Sequence, residues 1–285
     1  MKRLIALMIA LLLFAVPAFA ASGDTATPAP SDSATQAPDT SLDDIKAKGT
    51  FVLGLDDSFP PMGYRNEQNE IVGFDIDVAR EVCARLGVQL VLQPISWSAK
   101  ELELSSKNID CIWNGMSITP DREESMALST PYMNNRIVLV VKDGSYTSMD
   151  QLAGKSVAVQ SGSFAEEVLT TYPEYADFYK SLSEVPPHED YLTALMDLNN
   201  GNVAAVLIDV VVFNYYKTTS GDTSLTEIAS LADDLYAVGF RKGDLALRDA
   251  VDAILAEMAA DGKLAEISTK WFGQDITIVG KAKAE

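Results

Sequence analysis

The segment Asn114, Gly115, Met116, Ser117, Ile118, Thr119, Pro120, Asp121, Arg122 gathers residue types able to hold an anion. Thr119 is a favoured helix N-cap and Pro120 suits the first helical position, so the pattern predicts a strand end, a loop and a helix start. Arg122 then falls in the first helical turn, where the macrodipole disfavours a cation. An anion nearby resolves that conflict. Free backbone N–H groups at the helix start, the Ser117 hydroxyl and the guanidinium fork together make a carboxylate-binding site. Spacing alone favours a plainer arrangement, in which Asp121, Glu123 or Glu124 pairs with Arg122 on a solvated face. A second charged residue, Asp209, ends the apolar run from Val203 to Ile208. An Asp in that place is commonly a helix N-cap.

Other chemistry finds little support. His188, the one histidine, reads as part of a solvated loop with Pro186, Pro187 and Glu189, so no Ser/His/Asp or Cys/His triad is expected. Gly154, Lys155 and Ser156 resemble the end of a phosphate loop, but Met149 stands where its first glycine is required. There is no GxGxxG, GxSxG or HExxH pattern, and no cofactor is called for. Cys83 and Cys111 lack metal-ligand spacing. An oxidising compartment permits a bridge between them; two small buried residues fit as well, since Cys83 shares a helical face with Ile76, Ala79 and Leu86.

These residues need a scaffold, and the chain supplies one. At 285 residues, 47% apolar and 22% charged, it can build a sizeable core and about two domains. A formal charge of −19 removes the basic footprint of a nucleic-acid binder, so no nucleic-acid partner is expected. Lys2 and Arg3 precede an apolar run ending at Val16, and Ala18, Phe19, Ala20 form a small-residue cleavage site. Residues 1–20 therefore read as a secretory signal peptide, too short to span a bilayer. No cysteine follows as a lipid attachment point, so release into a periplasm or the cell exterior is predicted. Residues 21–40, rich in Ala, Ser, Thr and Pro, read as a flexible linker. A short helix capped by Ser41 and Asp44 and ended by Gly49 opens the folded part.

Beyond it, strand-like runs at residues 51–55, 88–92, 109–113, 137–141, 157–160, 203–208 and 235–240 alternate with helical patterns. The helices are predicted at residues 75–86, 97–106, 120–127, 163–171, 191–199 and 211–216, with two more at 245–260 and 264–271. Such alternation predicts an α/β fold with mostly parallel sheets.

Taken in order, Asp56, Ser58, Phe59, Pro60, Pro61; Gly73, Phe74, Asp75, Ile76, Asp77; Ser117, Ile118, Thr119, Pro120, Asp121, Arg122; and Ser129, Pro131, Tyr132 resemble the family 3 extracellular solute-binding proteins. These are the polar amino-acid-binding components of ABC importers. The likeness continues through Ser161, Gly162, Ser163, the strand ending at Asp209, and Lys270, Trp271, Phe272, Gly273. It implies a two-lobed type II periplasmic-binding-protein fold with two crossover strands. Lobe 1 would comprise residues 41–134 and 237–276, lobe 2 residues 135–236, and residues 277–285 a tail.

The resemblance also implies roles. Arg122 would clamp the α-carboxylate of an amino acid, helped by Ser117 and by N–H groups near Ser163 and Phe164; Asp209 and the Gly115 carbonyl would take the α-ammonium. Asp56, Phe59 and Trp97 match positions that contact the ligand side chain, with Trp113 and Asn114 nearby. Phe164 departs from the small or hydroxyl residue usual there, and its ring would narrow the pocket or stack on the ligand. The implied protein is a monomeric, exported carrier, not an enzyme, which closes on a small-molecule amino acid and delivers it to a membrane permease. A small-acid dehydratase on the same scaffold and an amino-acid sensing module are the rival classes. The identity of the amino acid stays open.

Overall fold

The computed structural model describes residues 38–281. The predicted signal segment, nearly all of the linker and residues 282–285 of the tail lie outside the described residues. Helix α1 (Ser41–Lys48) stops at Gly49, whose φ of 72° is a left-handed conformation that glycine adopts without strain. Its start differs from the prediction. Thr40 holds the N-cap position, and the Ser41 hydroxyl instead accepts from Leu247 N at 3.1 Å, tying the helix to a distant part of the chain.

Strand β1 (Thr50–Leu55) leads into three short strands, β2 (Ser58–Phe59), β3 (Gly63–Arg65) and β4 (Ile71–Val72), which form a small antiparallel sheet. Helix α2 (Phe74–Leu86) buries Phe74, Ile76, Ala79 and Cys83 along one face. Strand β5 (Gln89–Pro94) is followed by a single 3₁₀ turn at Trp97–Ala99, helix α3 (Lys100–Ser105) and the fully buried β6 (Cys111–Ser117). The helix predicted to reach Ala127 ends sooner, as α4 (Pro120–Ser125). Residues after it extend as β7 (Met126–Leu128) and pair with Arg241, Phe240 and Gly239, a tertiary pairing that overrides the local helical pattern.

The chain continues through β8 (Met133–Lys142), β9 (Val157–Gln160), α5 (Phe164–Thr171), α6 (Ala176–Ser181) and β10 (Pro187–His188). Helix α7 (Tyr191–Asn200), β11 (Ala205–Asp209) and α8 (Val210–Ser220) follow. The long β12 (Leu225–Arg241) then leads to α9 (Leu245–Ala260) and α10 (Lys263–Phe272). His188, predicted in a solvated loop, ends β10 with its ring half-buried and bonded to Asp197 Oδ2 at 2.8 Å.

The principal sheet has the order β10-β9-β11-β8-β12-β6-β1-β5, with β7 also beside β12. Both flanks are parallel, β10-β9-β11 on one side and β6-β1-β5 on the other. Between them β8 and β12 run antiparallel and carry the chain from one flank to the other. Tyr236 marks the changeover: its register partners are Met133 on β8 and Ser117 on β6. Helices cover the parallel flanks, which is why Val206, Leu207 and Ile208 are apolar and buried in succession, without alternation. The fold is thus the α/β, two-crossover architecture that the resemblance implied.

Cys83 and Cys111 are both buried as free thiols, and burial pushes the Cys83 thiol up to about 12 and that of Cys111 well above its usual range. Neither is expected to react with a water-soluble disulfide reagent in the folded protein, and both are expected to react after unfolding in guanidinium without reductant. Fewer than two titratable thiols in the unfolded chain would contradict this.

Candidate binding site

Strand β6 delivers the chain to the site and α4 turns it. Thr119 occupies the N-cap, its hydroxyl accepting from Arg122 N at 3.4 Å, and Pro120 starts the helix, as the sequence predicts. This places Arg122 one turn beyond Ser117 with its side chain folded back. Nη1 donates to the Ser117 carbonyl at 2.8 Å and Nη2 to the Gly162 carbonyl at 3.3 Å, across in the loop between β9 and α5. The residue is only 6% exposed, so burial depresses the pKa of the guanidinium, opposed by the charges of Glu101, Glu167, Asp234 and Asp209. Among the described residues Arg122 makes no ion pair. The surface pairing with Asp121, Glu123 or Glu124 does not form, and the buried charge rests on carbonyl oxygens alone.

Opposite charge gathers at the end of β11. Asp209 stands at the N-cap position of α8 but makes no cap bond. Its Oδ1 instead accepts from Asn135 Nδ2 at 2.6 Å and from the Tyr236 hydroxyl at 2.7 Å. Burial pushes this carboxyl up, while hydrogen bonds from Tyr236 and Asn135 and the charge of Arg122 pull it down. Asp234, on β12, accepts from the Ser117 hydroxyl at 2.8 Å, from the same Asn135 nitrogen at 2.9 Å and from Leu235 N at 2.7 Å. Ser117 was expected to direct its hydroxyl at the ligand carboxylate; a buried carboxylate of the protein takes it instead.

Gly115 is a position where only glycine fits. Its φ is +58°, and a Cβ would lie 2.7 Å from Phe59 Cε1 and 3.1 Å from Tyr236 Cε2. Its N–H donates to Asp75 Oδ2 at 2.7 Å, and that oxygen also accepts from the Tyr132 hydroxyl at 3.0 Å. Phe59 is buried against Tyr191, ring centres 5.9 Å apart. Asp56, expected to meet the ligand's side chain, is already engaged: Oδ2 accepts from Gln160 Nε2 at 2.6 Å and Oδ1 from Ser58 N at 2.9 Å. That Gln160 bond ties the β1 flank to the end of β9.

Three further predicted positions take part in packing and capping. Trp97 packs into a core cluster with Leu104, Ile109, Ile112 and Met116, beneath Lys100 Nζ at 5.1 Å from its ring centre. Ser163 caps α5, its hydroxyl accepting from Glu166 N at 3.1 Å, and its own N–H donates to the Gln160 carbonyl at 3.3 Å, so it is not a spare donor. Phe164 is buried edge-on against Tyr172, with 6.0 Å between ring centres. Trp113 is fully buried beside Tyr132.

The sequence reading missed Lys100, Asn135, Gln160, Tyr191, Asp234 and Tyr236. Lys100 is 3% exposed, and its Nζ donates to the Gly162 carbonyl at 2.9 Å and pairs with Glu101 at 3.0 Å. Burial and, less strongly, the charge of Arg122 bring its pKa down to about 8. Two cations thus meet one carbonyl oxygen. Gly162 itself has φ +71°, and a Cβ there would stand 2.9 Å from Ser98 Cα, so this loop lies directly on the turn before α3. Gln160 was signalled by its place just before Ser161, Gly162 and Ser163; the others carry no local mark.

Parallel flanks joined by two crossing strands, with a polar site between the strand ends, define a two-lobed binding protein. The chain belongs to the bacterial extracellular solute-binding proteins, family 3, whose pattern matches residues 51–274. It is 32% identical over 240 residues to the L-cystine-binding protein TcyJ of Escherichia coli (strain K12), covering 83% of this chain and 87% of that protein. Among solved structures it resembles an ABC uptake transporter substrate binding protein from Streptococcus pneumoniae with bound histidine, at TM-score 0.80 and 35% identity, covering 84% of this chain and 98% of the other. It also resembles Tv2483 bound to L-arginine, at TM-score 0.79 and 29% identity, covering 86% and 99%.

Burial pushes the carboxyls of Asp56, Asp75 and Asp234 up to about 7. Each keeps a proton in the folded chain at a pH where the unfolded chain has lost it. Their contribution to stability is therefore full below about pH 4 and is lost as pH rises through about 7. Exposed carboxyls held low, such as Asp197 by His188 and Asp261 by the Lys263 N–H, weaken the fold only as pH falls below about 4. Without ligand, the protein is expected to melt several degrees higher at about pH 5 than at about pH 8, and Asp75→Asn to reduce the difference. A melting temperature that is unchanged or higher at the alkaline pH would contradict this.

Proposed function

We propose that the protein captures a polar amino acid between two lobes, residues 41–134 with 237–276 and residues 135–236, and presents it to the membrane permease of an ABC importer. One observation carries the reading: a buried guanidinium without an ion pair among the described residues, Arg122, shares a site with the buried carboxylate Asp209, which forgoes its helix-capping role. A free amino acid is a zwitterion. Its carboxylate is met by Arg122 and the Phe164 N–H, its ammonium by Asp209 and the Gly115 carbonyl, and Phe59 walls its side chain. Arg122 belongs to one lobe and Asp209 to the other, so the ligand is fully satisfied only when they close, and binding stabilises closure.

Contacts between the proposed lobes support this reading: Asp56 with Gln160 at 2.6 Å, the Tyr64 and Tyr215 hydroxyls at 2.7 Å, and Lys100 with the Gly162 carbonyl at 2.9 Å. The names of the similar proteins support this reading, since they specify cystine, histidine and arginine as ligands. We infer export to a periplasm or the cell exterior and action as a monomeric carrier, not an enzyme. No helix among the described residues is long and apolar enough to cross a membrane.

Thermal shift with the common L-amino acids and cystine is expected to single out one or a few stabilising ligands. Each charge-assisted hydrogen bond contributes about 1.5–3 kcal/mol, so Arg122→Ala is expected to weaken the best ligand about 100-fold or more in calorimetry. Binding within about threefold of the unaltered protein, a difference of under ~1 kcal/mol, would overturn the assignment.

A further inference from the structure

We propose that Asp234, on the second crossing strand, is a ligand-binding residue that shares the amino group of the bound amino acid with Asp209. The inference rests on the reading above and adds to it the composition of the ammonium end.

The geometry is that of a carboxylate pair. One nitrogen, Asn135 Nδ2, lies 2.6 Å from Asp209 Oδ1 and 2.9 Å from Asp234 Oδ2. Asn135, Asp209 and Asp234 are respectively 4%, 4% and 6% exposed, so two acidic groups face each other with little water to screen them. A primary amide has two N–H bonds and no charge. It holds the pair together but neutralises neither member. Arg122, whose charge is felt by both acids, is committed to the Ser117 and Gly162 carbonyls and forms no ion pair with either, and Arg136, which lines the cavity beside Asp234, pairs with Glu227 at 2.9 Å.

Two further observations point to a ligand. Asn135 Oδ1 is buried and has no hydrogen-bond partner among the described residues, which leaves an acceptor beside the pair. A cavity of about 600 Å³, bounded by Ile118, Asn135, Val210 and Asp234, opens on the Asp234 side of the pair. An ammonium group has three N–H donors, and Asp209, Asp234 and the Gly115 carbonyl offer three acceptors. The site then demands a protonated primary amine more strictly than a single carboxylate would.

Before binding, the pair satisfies its mutual repulsion by holding a proton. Burial, and next the charge of Asp209, push the Asp234 carboxyl up to about 7. The groups facing it are Asp209 and Asn135, the Ser117 hydroxyl, the guanidinium of Arg122, and the phenols of Tyr172, Tyr191 and Tyr236. An incoming ammonium displaces the proton, so binding releases it and affinity rises from about pH 6 to about pH 8.

The test is calorimetry of the unaltered protein, D234N and D209N with L-arginine, L-histidine and L-cystine, at neutral pH in two buffers of different ionisation enthalpy. With whichever ligand binds best, the unaltered protein is expected to release a fraction of a proton. D234N is expected to bind at least about tenfold more weakly with that release abolished, and D209N to bind more weakly still. D234N with unchanged affinity and proton release would overturn the proposal while leaving the general reading intact. Should D234N fail to fold, absence of proton release by the unaltered protein between about pH 6 and 8 overturns it equally. Failure of the unaltered protein to bind any common amino acid or cystine would overturn both.

Discussion

A guanidinium withdrawn from water must find its counter-charge somewhere, because an unpaired buried ion costs several kcal/mol. Arg122 is in that condition: it is held by two backbone carbonyls, one on its own loop and one from the loop after β9. Dipoles of carbonyl groups orient a cation without cancelling it. The acids of the site do not approach it either, since Asp209 and Asp234 are drawn to Asn135, Tyr236 and Ser117. The fold thus keeps its two kinds of charge apart, a cationic end with Lys100 and Arg122 on the Gly162 carbonyl and an anionic end at Asn135. That separation matches a small dipolar molecule better than it serves the protein's own stability.

The crossing strands explain how such a separation is held. Asn135 lies on β8 and Asp234 on β12, the two strands that pass between the flanks, and Tyr236 pairs with both β8 and β6. Asp234, proposed to share the ammonium, and the Asn135 amide that joins it to Asp209 are therefore part of the connection itself. Gly162 contributes at the opposite end: its left-handed backbone and lack of a Cβ let the loop rest on Ser98, bringing its carbonyl under both cations.

Much of this was legible in the chain. Alternating apolar runs located most strands and helices, since strands buried on both faces need no polar alternation and the helices between them carry their own periodicity. Thr119, Pro120 and Arg122 specified a capped helix start locally, and the structure shows that start. What stayed hidden depends on distance along the sequence. Strand β7 looks like the tail of α4 until its pairing with β12 is known. The first ten residues of β12 include Thr226, Glu227, Ser230, Asp233 and Asp234, too polar to read as a central strand, yet this stretch pairs with β8. The direction of a hydroxyl or amide is likewise set by partners far off in sequence: Ser117 reaches Asp234, Gln160 reaches Asp56, and Asn135 reaches Asp209 and Asp234.

The most direct test of the central claim is a crystal structure of the protein with its best-binding amino acid. The account predicts the α-carboxylate on the Arg122 guanidinium and the α-ammonium within hydrogen-bond distance of Asp209, enclosed between the two lobes. An amino acid bound elsewhere, or Arg122 paired with a carboxylate of the protein while ligand occupies the site, would contradict it.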